Sequence, residues 1–258
     1  GLRGQWLSLA QHLCGFSRQF SSIGGHVAAV VAVVYGSLEP QWLRGFLRRT
    51  ASAVHESMPL VLACDGEVLC GTCAEEGAAD KSMFCVSCDF AEEEGDEGGG
   101  SPTSEELKVA LVFGTVLALL TLGVDALFVD ADVYLLKNPL PSLQRLARDE
   151  GPRTSKASAG GLPLSPEVAA RCLPAGRVDM VVSEHFHARC LNSGLFFVRA
   201  SEASFLWAQR YLAWAHAWPL GAEQNIFDAS LAHSLRDEPF APPTSRIQGR
   251  PADCPAVT

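Results

Sequence analysis

Two aspartates separated by a single residue, Asp130 and Asp132, are the side chains of this sequence best placed to do chemistry. They directly follow a short apolar run, residues 127–129, that favours a strand. Such a run after a helical pattern is typical of a buried strand in a parallel sheet, and open sheets of that kind bind ligands beyond the carboxyl ends of their strands. Two acids are costly there unless a positive charge lies between them. A hard divalent cation shared with phosphate oxygens fits that requirement; the alternative is that both residues only form the turn that closes the strand.

The residues around these aspartates carry a resemblance to a known family. Residues 127–140 read Leu-Phe-Val-Asp-Ala-Asp-Val-Tyr-Leu-Leu-Lys-Asn-Pro-Leu. This stretch resembles the signature of the nucleotide-diphospho-sugar transferase family, which includes plant cell-wall arabinosyl- and xylosyltransferases. The resemblance implies a GT-A-like, Rossmann-like α/β fold: a mostly parallel sheet flanked by helices in a single domain. It also implies metal-dependent transfer of a sugar, with retention of configuration, from a nucleoside-diphosphate sugar to a glycan or glycoprotein acceptor.

The resemblance implies roles for individual residues. Asp132 would bind Mn²⁺ or Mg²⁺ directly, and Asp130 would bind the metal or the ribose. Retention requires a carboxylate nucleophile or attack from the leaving-group face, and the catalytic carboxylates to test are Glu223 and Glu184. The remaining candidates for binding the nucleotide sugar are Tyr35, Gly36, Ser37, Lys108, Asn192, Ser193, Gly194 and Gln224.

Two further stretches resemble the family. Residues 192–194 match an Asn-Ser/Thr-Gly turn that leads into a strand, where Asn192 and Ser193 can hydrogen-bond sugar hydroxyls and Gly194 lets the backbone approach a ligand closely. The alternative is an ordinary turn. Glu223 and Gln224 stand where family members usually carry Asp-Gln, a change that keeps the carboxylate and lengthens its reach.

The sequence contains two Cys-x-x-Cys pairs, Cys70 with Cys73 and Cys85 with Cys88. Their spacing can close a four-thiolate zinc site. It also allows disulfide pairing in an oxidising lumen, or packing of small apolar side chains along a strand. The sequence leaves these three interpretations open.

Composition and charge restrict the classes of protein to consider. The 258 residues are 48% hydrophobic and 19% charged, which is typical of a globular domain. A formal net charge of -9 argues against a nucleic-acid-binding protein. No segment has the roughly 20 apolar residues needed to span a bilayer. The sequence begins at Gly1, so an upstream membrane anchor would be missing from it, and the family resemblance implies the Golgi or another secretory lumen.

Residue patterns predict the order of the elements. Strand 27–35, helix 41–55 and strand 60–64 form a β-α-β unit whose first strand ends at the ligand edge. A helix from 104 to 122 then delivers the chain into the strand that precedes the aspartates. In this scheme residues 1–22 are a leader or an incidental helix, and residues 23–240 form the GT-A-like domain. A cysteine-rich and acidic glycine-rich insertion occupies 70–101, and a proline-rich tail occupies 241–258.

Two other functions compete with a glycosyltransferase. The first is a non-catalytic GT-A-like binding or scaffold protein with a structural zinc site, an interpretation favoured by the altered Glu223-Gln224 pair. The second is a metal-dependent hydrolase of sugar nucleotides. The need for an acceptor distinguishes a hydrolase from a transferase.

Overall fold

The computed structural model of the chain describes residues 9–11, 13, 27–54, 57–87, 104–147, 179–184, 191–217 and 223–235. The strands in these ranges are β1 (Ala28–Val34), β2 (Leu60–Cys64), β3 (Met83–Ser87), β4 (Asp125–Val129), β5 (Met180–Glu184) and β6 (Leu191–Val198). The helices are α1 (Pro40–Val54), α2 (Glu67–Ala79), α3 (Ser104–Thr121), α4 (Leu140–Ala147), α5 (Glu202–Ala217) and α6 (Glu223–Leu235).

The six strands form one mixed sheet in the order β3-β2-β1-β4-β6-β5. The first four strands in this order are parallel to one another, whereas β6 is antiparallel to both β4 and β5. The chain first builds outward from β1 to β3 and then crosses back to place β4 on the other side of β1. Such a reversal is a topological switch point, and open α/β sheets bind their ligands at its carboxyl edge. The structure therefore confirms a mostly parallel sheet flanked by helices and locates the switch point between β1 and β4.

Every residue of β1 is buried, because helices cover both faces of the sheet. Alternate residues of the strand enter two separate cores. Ala28, Val30 and the residues in step with them pack against α1 and α2, on what we call the α1 face. The intervening residues, such as Val31, pack on the opposite α3 face, where α3, α5, α6 and β6 supply the rings of an aromatic cluster. Its rings are Phe113, Phe196, Trp207, Tyr211 and Phe227.

The apolar patterns of the sequence predict most of these elements to within a few residues. The strand predicted at 60–64 matches β2, and the helix predicted from 104 to 122 matches α3. The cysteine-rich segment is different. Residues 70–87, predicted as part of an insertion, belong to α2 and β3 and complete a second β-α-β crossover. The sequence hides this helix because α2 buries few side chains, among them Leu69 and Cys73, and therefore lacks a clear apolar stripe.

The predicted boundaries at the two ends of the chain are described only in part. Leu9 and Leu13 are buried on the α3 face, so this part of the predicted leader packs against the domain. The predicted acidic loop from 88 to 101 and the proline-rich tail at 241–258 lie outside the described residues. Among the helices of the described ranges, none combines the length and apolar character needed to cross a bilayer.

Candidate functional site

Asp130 begins the turn that follows β4 at the carboxyl edge of the sheet. Its backbone N–H donates to the carbonyl of Gly194 at 2.8 Å, and its own carbonyl accepts from the N–H of Val133 at 2.9 Å. The Asp130 side chain is half-buried and that of Asp132 is exposed. The backbone bonds show that these residues do form the turn after the strand. The carboxylate of Asp132 makes no hydrogen bond or ion pair with any described residue.

The carboxylate of Asp130 lies directly against the backbone of β6. A Cβ atom built on Gly194 would come within 2.7 Å of Oδ2 of Asp130 and 3.3 Å of its Cγ, closer than real Cβ contacts. Glycine therefore permits the close approach of the aspartate, whose carboxylate would have to move for any larger residue. Oδ1 of Asn192 accepts a hydrogen bond of 2.8 Å from the Gly194 N–H, which fixes the amide side chain at the same place.

The contact between residues 130 and 192–194 arises differently from the sequence-based expectation. Asn192, Ser193 and Gly194 were predicted as a turn before a strand, but they lie within β6. Because β6 runs antiparallel to β4, the beginning of β6, and not its carboxyl end, meets the end of β4. Alternation along a strand also puts Ser193 on the opposite face from its two neighbours, where it is only 6% exposed. The structure thus brings Asn192 and Gly194 to Asp130 and separates Ser193 from them.

Residues 35–37 lie at the same edge, one strand away. The parallel register pairs Val31 of β1 with Phe128 of β4, so Tyr35 follows β1 at the level where the aspartates follow β4. Tyr35 packs at the border of the α3-face core. Gly36 has a φ of 74°, a conformation that favours glycine, and Gly36 and Ser37 are both exposed. These residues therefore lie at the same edge of the sheet as Asp130.

Four other predicted site residues are described by their backbone alone. Glu184 ends β5 and pairs with Leu191, so it stands at the same edge as the start of β6. Lys108 lies near the start of α3. The C-terminal end of α3 leads into the start of β4 at the amino edge, so the start of the helix is toward the carboxyl edge. Glu223 and Gln224 open α6. Their side chains lie outside the described part of the structure.

The start of α6 can be placed through its second turn. The ring of Phe227 lies 5.4 Å from that of Phe196, and Phe196 is two residues from Gly194 on the same face of β6. Glu223 and Gln224 come one turn before Phe227. The first turn of α6 is therefore close to the beginning of β6.

Four cysteines of the described residues form two disulfides, so the disulfide interpretation holds for them and the zinc interpretation does not. Cys64 at the end of β2 is bonded to Cys70 in the first turn of α2, and Cys73 in the next turn is bonded to Cys85 in β3. A sulfur bonded to another sulfur is not a thiolate and does not ligate zinc. The four-thiolate prediction is therefore wrong for Cys70, Cys73 and Cys85, and its fourth member, Cys88, lies outside the described residues. No group of three or more potential metal ligands occurs among the side chains that the structure describes.

Two acids near this sheet received no role from the sequence. Asp125, the first residue of β4, is fully buried, and its Oδ1 accepts a hydrogen bond of 2.8 Å from the backbone N–H of Ala200. It lies at the amino edge and ties β4 to the end of β6. Asp65 directly follows β2 at the carboxyl edge. The signal that singled out Asp130, an acid immediately after a buried apolar strand, also applies to Asp65.

The described cavity lies away from these residues. It has a volume of about 440 Å³ and is lined by Arg48, Glu76, Asp80 and Met83, at the end of α2 and the beginning of β3. The hydrogen bonds from Arg48 lower the pKa of Glu76. This is the amino edge of the sheet, where the ion pairs connect α1 to α2. The predicted ligand crevice is at the other edge, where Asp65, Asp130 and Asp132 place three acids.

Two carboxylates suit a hard cation that is shared with a phosphate. Mg²⁺ and Mn²⁺ are commonly held by one or two protein carboxylates, and substrate oxygens and water complete their coordination. The close packing of Asp130 on Gly194 holds one carboxylate in place, and Asp132 supplies an exposed second carboxylate. These residues fit such a cation.

Comparison with known proteins agrees with the sequence motifs. A family model described as nucleotide-diphospho-sugar transferase matches residues 58–250, more than half of the chain. The matched range includes both aspartates and residues 192–194 and 223–224, while β1 and α1 precede it. A search of curated proteins finds no match.

Proposed function

Because the chain belongs to the nucleotide-diphospho-sugar transferase family, we propose that it transfers a sugar from a nucleoside-diphosphate sugar to a glycan or glycoprotein acceptor. The reaction would take place at the carboxyl edge of β1 and β4, next to the start of β6. The observation that carries this proposal is the packing of the Asp130 carboxylate against Gly194, which brings two separate family motifs into contact. Family membership supports glycosyl transfer, and the geometry supports this edge as its location.

Asp130 and Asp132 would hold Mn²⁺ or Mg²⁺ together with the diphosphate of the donor. When bound, the cation neutralises the charge that develops on the diphosphate leaving group. Asp130 has a fixed position because its backbone is bonded to β6 and its side chain packs on Gly194. Asp132 is exposed and one residue into the turn, so it can approach the cation from the solvent side.

Asn192 would orient the sugar. Its Oδ1 is already bonded to the N–H of Gly194, so the side-chain amide is held before any ligand arrives. An oriented amide has N–H groups to donate to sugar hydroxyls or phosphate oxygens. Preorganisation of this kind reduces the entropy that is lost on binding.

For a retaining reaction, the carboxylate candidates remain Glu223 and Glu184. Both belong to segments that reach the carboxyl edge: the start of α6 and the end of β5. A carboxylate at this edge would act as the nucleophile or stabilise the cationic sugar of the transition state. Loss of transfer in E223Q or E184Q, with donor binding retained, would distinguish a catalytic carboxylate from a binding residue.

We also propose that the protein works in an oxidising compartment, the Golgi or another part of the secretory lumen. Support comes from the two disulfides that join α2 to β2 and β3. Disulfides persist in such compartments and are rare in reducing ones.

The proposal is tested by calorimetric titration of UDP, GDP, ADP and CDP, each with Mn²⁺ and with EDTA. We expect at least one nucleoside diphosphate to bind about tenfold or more tightly with Mn²⁺, because the aspartates otherwise repel the diphosphate. Equal affinity in the two conditions would contradict the metal bridge. The matching sugar nucleotides are then incubated with mixed glycan acceptors. Transfer that requires an acceptor supports the proposal, whereas release of free sugar without one indicates a hydrolase.

A further inference from the structure

Asp65 occupies the position at β2 that Asp130 occupies at β4. It is the first residue after the buried strand Leu60–Cys64, and its backbone N–H donates to the carbonyl of Val34 in β1 at 3.0 Å. This bond continues the parallel register that pairs Val34 with Cys64. Asp65 is therefore aligned with Tyr35 and fixed at the same edge of the sheet.

The strand order puts the two acidic positions on either side of β1. Because β2, β1 and β4 are neighbours and adjacent strands lie about 4.8 Å apart, Asp65 is roughly 10 Å across the sheet from the turn at Asp130. Alternation assigns Asp65, Tyr35 and Asp130 to the same side, the α3 face. A nucleoside diphosphate whose phosphates lie at Asp130 can therefore reach Asp65 with its ribose, because only β1 separates the two positions.

The chemistry of Asp65 favours hydroxyl groups over phosphate. An ionised carboxylate only accepts hydrogen bonds, so it matches the hydroxyls of a ribose and repels phosphate. The Asp65 side chain is half-buried, and it has no hydrogen bond or ion pair within the described residues. In dinucleotide-binding sheets, an acid about 20 residues after the glycine-rich turn accepts a hydrogen bond from the ribose, which shows that a carboxylate suits this ligand.

A disulfide holds the segment that carries Asp65. The bond between Cys64 and Cys70 closes the loop from the last residue of β2 to the first turn of α2. Within that loop, Gly66 has a φ of 87° and allows the sharp change of direction. Both ends of the loop are anchored, so Asp65 is presented in a fixed position.

We propose that Asp65 is a specificity residue that accepts hydrogen bonds from the ribose hydroxyls of the donor nucleotide. This inference rests on the proposed function, since it requires a nucleoside-diphosphate donor at the same edge. It adds a third acid whose task differs from that of the other two. Asp130 and Asp132 act on the diphosphate end of the donor, and Asp65 acts on its nucleoside.

The test compares the tightest-binding nucleoside diphosphate with its 2′-deoxy and 3′-deoxy analogues in the presence of Mn²⁺. We expect the wild-type protein to bind the ribonucleotide about tenfold or more tightly than at least one analogue, because hydrogen bonds to a charged group are strong. In D65N, an isosteric change at a half-buried position, this ratio should fall toward one. E67Q removes a neighbouring exposed carboxylate at the start of α2 and should leave the ratio unchanged.

The possible results separate the two proposals. If no nucleoside diphosphate binds the wild-type protein, the proposed function fails and the role of Asp65 fails with it. If one binds with Mn²⁺ but equally well as its deoxy analogues, or if D65N keeps the wild-type ratio, only the role of Asp65 is overturned. The wild-type comparison needs no variant, so it can overturn the role of Asp65 even if D65N folds poorly.

Discussion

β4 carries an aspartate at each end, Asp125 as its first residue and Asp130 directly after its last. Both meet the antiparallel strand β6 or its continuation, since Asp125 accepts from the N–H of Ala200 and Asp130 packs on Gly194. Asp125 is fully buried and bonded to the backbone. Asp130 is half-buried and stands beside the exposed Asp132.

The difference between the two ends shows how position decides the task of a carboxylate. At the amino edge, the N–H of Ala200 donates to Oδ1 of the buried Asp125 side chain. At the carboxyl edge, Gly194 leaves room next to the carboxylate, and a second acid follows. The first arrangement stabilises the sheet, whereas the second suits a cation and its ligand.

The largest expected effect concerns activity. D130N should lower the rate of sugar transfer by about 100-fold or more, since it removes a charge from the site where the leaving group is stabilised. Its free energy of unfolding should change far less, because the substitution is isosteric. Steady-state transfer assays and urea denaturation measure the two quantities. The control is E202Q, which changes an exposed acid in the first turn of α5 and should keep the wild-type rate. A wild-type rate in D130N would show that Asp130 is not part of the active site.

The opposite result is expected at the other end of β4. D125A should lower the free energy of unfolding by about 2–3 kcal/mol, because the N–H of Ala200 loses its acceptor in a buried place. D125N retains an oxygen acceptor and should lose less. Urea denaturation measures both variants, and Mn²⁺-dependent nucleotide affinity of the folded protein should stay unchanged. Unaltered stability in D125A would contradict a structural role for this aspartate.

A substitution next to Asp130 sharpens the comparison without removing a charge. In G194A the new Cβ would lie 2.7 Å from Oδ2, so the carboxylate must move. We expect Mn²⁺-dependent nucleotide affinity to fall about tenfold, as is typical when a group that supports a metal ligand is altered. G45A is the matched control, because a Cβ there meets no atom within 4 Å. Calorimetry should show a loss in G194A only; equal affinities would mean that the position of Asp130 does not matter.

Local patterns in the sequence were sufficient to find Asp130 and the strands of the parallel half. The run before Asp130 is continuous and apolar because β4 is buried on both faces. The antiparallel direction of β6 depends on pairing with β4, a distant segment, and residues 192–194 carry no sign of it. An Asn-Ser-Gly sequence is typical of a turn, but here the glycine satisfies a close contact inside a strand.

The cysteines show a second limit of the sequence. The spacing of the Cys-x-x-Cys pairs directs attention to Cys70, Cys73, Cys85 and Cys88 as one set. The actual partner of Cys70 is Cys64, which belongs to neither pair. In the sequence, Cys64 is simply the last residue of an apolar run that predicts a strand. Connectivity depends on which sulfurs the fold brings together, and spacing alone does not determine it.

The smallest expected effect concerns Glu76, an acid that is held by a side chain. Nε and Nη2 of Arg48 each donate to its carboxylate at 2.8 Å, and this hydrogen bonding lowers its pKa below the ordinary 4.5. Because the folded state has the lower pKa, the stabilisation is present above pH 4.5 and is lost as the pH falls through the folded value. E76Q should therefore be less stable than wild type at neutral pH, by the small amount typical of a surface ion pair. The difference should shrink in acid, and R48Q should show the same trend in thermal melting; a constant difference at every pH would contradict this role of the Glu76 charge.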